Sequence, residues 1–381
     1  MPDVLIVGGG PVGLVVALLL ARDGIDVEVW EGRSDPPSGT RAIGVHPPSL
    51  DLFDGLGVLG PFLEHAVRIG RGEAWNGGRR LGTVLFDDRP FDHPFIAALE
   101  QWRTEQLLRA RLHAVLPGAL RTGIHCTTLL AGPDGVQATG TGGPGAVSTR
   151  AAMVVVASGG RTSFDAPPAM GRVRQYRDGY LMGDVLDQSD AGAVARVFLH
   201  RHGVVESFPL PAGKRRYVVH TGLSNLISEP TADDLAALVS ERTGDSLDPT
   251  TNSMLSAFVV RRRQRRSLVA GRIVHVGDAA HEISPIGGQG MNLGWADARA
   301  FAPGIVRAVR SGAPDAARLT AVSDRQLSLA RRAARQAELN MALGRPHGSA
   351  VGSLRDLGLR TVLRSPVMPV LADAYTMRWA R

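Results

Sequence analysis

The sequence predicts a chain of the α/β class: a parallel sheet wrapped by helices, with a second β-sheet inserted into it and a helical C-terminal segment. Three observations predict it. Near the N-terminus, "VLIVGGGPVGLVVALLLARDGIDVEVWEGR" reads as strand, glycine turn, helix, strand. At 277–294, "GDAAHEISPIGGQGMNLG" puts five glycines between an apolar strand and a helix. Between these stretches, segments such as "ARVFLHRHG", "VVESFPLP" and "RRYVVHTGL" alternate with the period of two that a sheet with two unlike faces imposes.

Composition bounds the function classes. With 381 residues, 44% hydrophobic and 21% charged, the chain has the material for a sizeable core and one large or two small domains. The formal charge is +7, and Lys214 is the only lysine, so the basic count is almost all arginine. The densest basic run, "VVRRRQRRSLVAG" from Val259, has no interleaved aromatics; a solvated strand and turn is expected there, and no nucleic-acid partner. Cys126 is the single cysteine, which excludes an intramolecular disulfide and fits a reducing compartment; it is expected to be buried in the strand "GIHCTTLLAG". The apolar N-terminus lacks a basic leading region and is broken by glycines, so a strand and turn explain it better than a signal peptide or membrane span, and a cytoplasmic location is expected.

The first element is Val4–Val7, an apolar run suited to a buried parallel strand. Gly8, Gly10 and Gly13 follow as G-x-G-x-x-G, with Pro11 and Val12 inside the turn, then a helix over Leu14 to Arg22 and a strand over Asp26 to Trp30. Gly8 permits the tight turn, Gly10 keeps a Cβ away from a pyrophosphate, and Gly13 lets helix and strand pack closely. The helix N-terminus offers free N–H groups and a positive dipole end to phosphates. Glu31, 18 residues past Gly13, is placed to accept hydrogen bonds from an adenosine ribose, and Arg33 joins it as a candidate cofactor contact. Strand, helix, second strand and acid in register predict binding of an ADP moiety without separating NAD from FAD.

The second glycine stretch resembles the second FAD signature of the para-hydroxybenzoate hydroxylase family, the class A FAD-dependent aromatic hydroxylases. The matching residues are Gly277, Asp278, Ala279, Ala280, His281, Pro285, Gly288, Gln289, Gly290, Asn292 and Asp297. The resemblance implies that Asp278 holds the ribityl chain and that Pro285 to Asn292, Met291 included, pass close to the isoalloxazine ring. It further implies that a helix beginning near Met291 points its N-terminus at the flavin. His281 belongs to the motif and is expected to be structural, with no metal site. Two further segments are similar to the same family. "GTRAIGVHPPSLDLFDGLGV" places Arg41 near the pyrophosphate, with Pro48 where the family often has arginine, and "LEQWRTEQLLRARL" places Gln101 on the flavin side of the cofactor.

On this resemblance the chain is a Rossmann-type FAD-binding domain over 1–70, 97–170 and 262–345. A substrate-binding β-sheet domain spans 71–96 and 171–261, and C-terminal helices span 346–381. "TADDLAALVSERTG" is expected as a surface helix capped by Thr231, and 315–343 as one long helix. The tail should form two amphipathic helices that dock on the core more than they make weak dimer or membrane contacts. The implied activity is hydroxylation of a small aromatic substrate, phenolic or polyketide-like, with NAD(P)H and O2 through a flavin C4a-hydroperoxide. The backbone of Pro285, Gly288 and Gly290 would lie near the reacting oxygen. Among side chains, His46, His93, His200, His202 and Tyr217 are all open as the substrate's base. Other readings of the fold are a reductase or dehydrogenase, for instance on polyprenyl double bonds, and a non-catalytic flavoprotein; the absence of W-x-W-x-I-P argues against a halogenase. One departure stands out: "MVVVASGGRTSF" occupies the place of the family's A-D-G-x-x-S. The spacing fixes Gly160, a candidate cofactor contact, and Ser163, so Gly159 stands where the aspartate belongs; a shifted alignment would put Ser158 there, and neither residue carries a charge. Either a variant subgroup retains full activity, or flavin reduction by pyridine nucleotide is impaired.

Overall fold

A computed structural model describes residues 1–35, 42–86, 92–143, 145–160, 171, 173–223 and 229–380. The molecule is of the predicted α/β class. Six strands form the central sheet in the order Val269–Ala270, Ile273–His275, Met153–Val156, Val4–Val7, Val27–Glu31, Leu120–Thr122, all parallel except the first pair. Val4–Val7 lies in the middle and is buried on both faces, which is why its sequence is unbroken by polar residues. Val4 and Ile6 pack into the helical side with Leu14, Leu18 and Phe301. Leu5 and Val7 face a three-stranded antiparallel meander, Ile124–Gly132, Gly135–Gly142 and Gly145–Ala151, together with Trp30, Val136 and Cys126. Cys126 is buried there, and desolvation pushes its thiol up to about 11, so it is an inert core residue.

The inserted sheet has eight strands, in the order His281–Glu282, Met254–Gln264, Arg174–Leu186, Lys214–Leu223, Gly203–Leu210, Ala195–His200, Arg71–Asn76, Arg79–Leu85. Its two faces differ in what covers them. Leu181, Tyr217 and Val219 on the outer face pack under the helix Ala232–Thr243, which starts in a Thr231–Asp234 capping box. Tyr180, Met182, Val204 and Val218 on the inner face meet Ile286 of the second glycine stretch and Met341 of the long helix Ala316–Gly344. The edge pair His281–Glu282 belongs to that same glycine stretch, so the inserted sheet is hydrogen-bonded directly to it.

The basic run lies on the strand Met254–Gln264 and is less solvated than expected. Arg261 and Arg263 each contact Glu282, at 2.6 and 2.8 Å, and Arg262 contacts Glu338 at 3.3 Å. Its charges tie the sheet to the glycine stretch and to the long helix. The tail forms the helices Ser349–Leu363 and Met368–Tyr375. They dock on the sheet edge through Leu363 and Ala372, while Val351, Leu354, Leu357 and Val370 stay exposed. No helix among the described residues is long and apolar enough to cross a membrane.

Candidate functional site

The first turn is built by close approach. Gly8 has φ +113°, and a Cβ on it would stand 2.4 Å from the Ala157 carbonyl oxygen; a Cβ on Gly13 would stand 1.9 Å from the Gly8 carbonyl oxygen. Gly10 is different. Its backbone is extended, with φ −78°, and a Cβ there would meet nothing within 4 Å. Neither strain nor packing asks for glycine at this position, so the free space in front of the helix Pro11–Arg22 is the feature it preserves.

Glu31 ends the neighbouring strand and is buried. It accepts hydrogen bonds from Gly9 N–H at 2.7 Å and from Arg33, N–H at 3.0 Å and Nε at 2.7 Å. Burial works against its charge, but the Arg33 and Gly9 hydrogen bonds outweigh burial and hold the carboxyl below its ordinary range. Two residues not singled out from sequence complete this corner. Glu105 is fully buried, and Arg109 contacts it at 2.8 Å and donates to the Gly9 carbonyl at 3.2 Å. Their i,i+4 spacing on the helix Gln101–Val115 was the available signal.

The second turn meets the first through Val12. A Cβ on Gly277 would contact the Val12 side chain at 3.3 Å, and one on Gly294 would strike it at 2.5 Å. The helices Pro11–Arg22 and Gly290–Ser311 thus cross with Val12 filling the notch left by two glycines. Asp297, on the second helix, accepts from Gly277 N–H at 2.9 Å and stands 2.8 Å from His281 Nε2. Both side chains are buried, so His281 is structural and locks the turn to the helix.

Asp278 is an exposed residue with protein close around it. Desolvation, followed by the charge of Glu282, pushes it up to about 6. A Cβ on Gly290 would lie 3.9 Å from its Oδ1, so Asp278 faces the N-terminus of the helix Gly290–Ser311. Pro285 and Gly288 form an exposed turn in which Gly288 N–H donates to the Pro285 carbonyl at 2.9 Å, with Gly288 at φ +67°. Gln289 is buried with its Oε1 unpartnered. Met291 packs against the core. Asn292 is fully engaged with the protein: it accepts from His46 N–H at 2.9 Å and donates to the Gly44 and Gly288 carbonyls at 2.9 and 3.2 Å. Its side chain positions the segment 44–46 and the glycine turn. Gln101 opens its helix beside that segment, its N–H bound to the Ala42 carbonyl. Arg41 and Ser163 lie outside the described residues.

Gly159 has φ +71° and open space at its Cβ position, while a Cβ on Gly160 would stand 3.1 Å from Glu282 Oε2. Arg263 donates to the Gly160 carbonyl. Glu282, contributed by the second glycine stretch, therefore stands against Gly160, next to the missing aspartate's place.

The side-chain bases named from sequence fare unequally. His46 borders the glycine turn, with a Cβ on Gly288 falling 3.7 Å from its Nε2, and burial pushes it down to about 4. His93 pairs with Asp51 at 3.0 Å. Tyr217 and His200 point to the outer face of the inserted sheet, away from the glycine turn; the Tyr217 hydroxyl donates to Asp245 at 3.2 Å. His202 contacts Glu241 at 2.6 Å at the exposed end of that hairpin, where His200, His202 and Glu241 form the one group with metal-ligating spacing among the described residues. Sequence reasoning passed over Glu206, a buried carboxylate on the inner face.

Residues 1–337 match a family described as "FAD binding domain". The chain is similar to a rifampicin monooxygenase of Streptomyces venezuelae, 32% identical over 78% of this chain and 62% of the relative. It is also similar to a 12-dehydrotetracycline 5-monooxygenase/anhydrotetracycline 6-monooxygenase of Streptomyces rimosus, 30% identical over 78% of this chain and 61% of the relative. The chain thus spans about three fifths of the length of these curated relatives. Among solved structures, a p-nitrophenol 4-monooxygenase of Pseudomonas putida superposes with a TM-score of 0.88, at 20% identity, over 99% of this chain and 98% of that one.

Proposed function

The chain belongs to the FAD-binding-domain family, and from that premise we propose that it is an FAD-dependent monooxygenase. It would hydroxylate an aromatic ring of the phenolic or polyketide kind, in secondary metabolism, with NAD(P)H and O2 as co-substrates. The observation that carries this reading is the pairing of two glycine turns at Val12, each with a carboxylate, Glu31 or Asp278, the second turn lying beside the inner face of an inserted sheet. The monooxygenase relatives support the activity. FAD, when bound, supplies hydride acceptance and oxygen activation; the chain's own residues supply the rest.

In this reading Gly8, Gly10 and Gly13, with Pro11 and Val12, form the pyrophosphate turn. Glu31, fixed by Gly9 and Arg33, takes the ribose. Asp278 takes the ribityl hydroxyls, and Gln101 and Arg41 close the cofactor's flank. Pro285, Gly288, Gln289, Gly290 and Met291 line the flavin ring with backbone, and Asn292 holds that backbone in place. Gly159 and Gly160, the latter braced by Arg263 and Glu282, present backbone N–H groups where the family's aspartate is missing. The sheet's inner face and Ile286 exclude water from the ring to be hydroxylated.

The test is direct. The purified protein should be yellow and release FAD on denaturation, and NADPH or NADH should bleach the bound flavin under anaerobic stopped-flow conditions, faster with a phenolic substrate present. Oxygen uptake coupled to nucleotide oxidation, with a product heavier by one oxygen, completes it. Bleaching by dithionite but by neither nucleotide would sink the reading. Nucleotide oxidation without oxygen uptake would favour a reductase on the same fold.

A further inference from the structure

Glu206 is a carboxylate that the fold leaves unused. It sits mid-strand in Gly203–Leu210, on the inner face of the inserted sheet, with Val204 and Phe208 on either side along the strand. Across the sheet it stands opposite Val218 on one neighbour and Val197 on the other. Met182 lies beyond Val218 in the same row, and Ala74 beyond Val197, so the row is otherwise apolar. Glu206 is only 8% exposed, and no described residue donates a hydrogen bond to it. Its oxygens are nevertheless absent from the polar atoms sealed off without a partner, so they open onto accessible space.

The charged and titratable groups around it are few. The nearest cation by register is Arg216, opposite Phe208, and it is held in a fork by Asp184 at 2.6 and 2.7 Å. Further along the face, Asp178 is bound by Arg345 and His220. Among the described residues, the hydroxyls of Tyr180 and Tyr375 feel the charge of Glu206, both raised, first by burial and then by Glu206 or its neighbours. Tyr180 is 1% exposed and its hydroxyl has no partner. Tyr375 donates to Asn340, which stands within 3.2 Å of the Cβ position of Gly287 in the glycine turn.

A buried carboxylate without donors is costly, and folds retain such groups mainly where a ligand completes them. We propose that Glu206 is the substrate-recognising carboxylate of this site and that it accepts a hydrogen bond from a hydroxyl on the aromatic ring. The proposal rests on the hydroxylase reading and narrows its substrate class. The ring carries a free hydroxyl, and aromatic carboxylates are disfavoured because they would meet a like charge with no free cation beside it among the described residues. In turnover the substrate O–H bond breaks, its proton moves to a Glu206 oxygen, and the electron pair stays on the ring oxygen and enriches the ring. Burial, which pushes Glu206 up to about 7, suits the carboxyl to hold and return that proton.

The experiment uses FAD-loaded protein and two probes that differ by one methyl group, 1-naphthol and 1-methoxynaphthalene, with binding read from the flavin absorbance. The wild type should prefer the naphthol by about tenfold or more, the usual value of a hydrogen bond to a charged acceptor. Glu206→Leu should abolish the preference while raising the melting temperature, since an unpaired carboxylate gives way to an apolar side chain. Glu206→Gln should keep part of the preference. Equal binding of the two probes by wild type, no binding of either, or a preference intact in Glu206→Leu would overturn the proposal. A Glu206→Leu protein with a lowered melting temperature would mark the residue as structural and overturn it too. None of these outcomes depends on turnover: failure of nucleotide to reduce the flavin would sink the hydroxylase reading with the binding preference intact.

Discussion

At the scale of single residues, the site is held by carboxylates whose environments differ. Glu31 is satisfied by three hydrogen bonds before any ligand arrives, whereas Asp278 faces the cleft with its charge disfavoured by burial and by Glu282. Asp278 therefore carries a cost in the empty protein that a ligand hydroxyl would relieve under the proposed reading. Asp278→Ala should weaken FAD binding by about 1.5–3 kcal/mol, the usual loss for a charge-assisted hydrogen bond. Asp278→Asn should show the opposite effect on the apoprotein. The folded-state pKa, about 6, lies above the ordinary 3.8, so the cost is absent in acid and grows as pH rises through that window. The Asn variant should be more stable than wild-type apoprotein at about pH 8 and no more stable at about pH 4. Urea unfolding of both apoproteins checks this, and an equal difference at the two pH values would show that Asp278 does not titrate in the cleft. Glu31 ends a strand and Asp278 lies in the turn just after one, both beside glycine turns, so the place of each in the fold follows from local pattern. Glu206 and Arg109 were not legible, because what each faces depends on which strand or loop arrives beside it from far along the chain.

At the scale of elements, the helix Gly290–Ser311 is the joint of the molecule. Gly294 lets it cross the first helix over Val12, Trp295 donates to the Pro11 carbonyl at 3.0 Å, and Asp297 grips both Gly277 and His281. Burial opposes charge on His281, but Asp297 prevails and raises its pKa. The pair's contribution is therefore fully present below the ordinary 6.5 and is lost as pH rises through the raised value. Asp297→Asn should cost about 3–5 kcal/mol near pH 6, because it strands a buried charge, and markedly less near pH 9. Denaturant midpoints at the two pH values decide it; a deficit that grows with pH would mean that His281 is neutral throughout. Elements of this kind were readable in advance. The strand Val4–Val7, the helix after it, the Thr231 cap and the long helix all follow from apolar period, glycine punctuation and capping residues. Pairing was not. Val4 joins Met153 and Ala195 joins Gly72, partners more than a hundred residues apart, and no local period encodes that register. Separations of 19 to 76 residues likewise hid Glu282 and Glu338 from the arginines of 261–263, which read as solvated until their partners came into place.

At the scale of the whole molecule, the two sheets meet at the second glycine stretch, and the C-terminal third clamps them. The long helix reaches the inserted sheet through Glu338, which meets Tyr176 and Arg262, and through Arg345, which forks onto Asp178 with two contacts of 2.8 Å. The tail then ties strand to core. Asp356 accepts from Asn76 at 2.6 Å, Arg378 donates to the Phe86 carbonyl at 2.9 Å, and Arg299 donates to the Ala380 carbonyl at 2.9 Å. Leu363 packs so closely on Gly82 that a Cβ there would fall 2.6 Å away. None of these contacts involves the turn at Gly8–Gly13, Glu31 or Arg33, so the ADP end of the site and the clamp are separable. A protein ending at Arg345 should therefore keep ADP affinity within a factor of about three, as expected for sites that share no partners. The same protein should melt several degrees lower, because the packing of Leu363 and Ala372 on the sheet edge is gone. Calorimetric ADP titration and thermal unfolding of the shortened and full chains test both halves at once. If ADP affinity collapses with the melting temperature, the parallel-sheet core needs the tail to fold and the separation fails. If neither changes, the helices of 346–381 are ornaments on a sheet that stands without them.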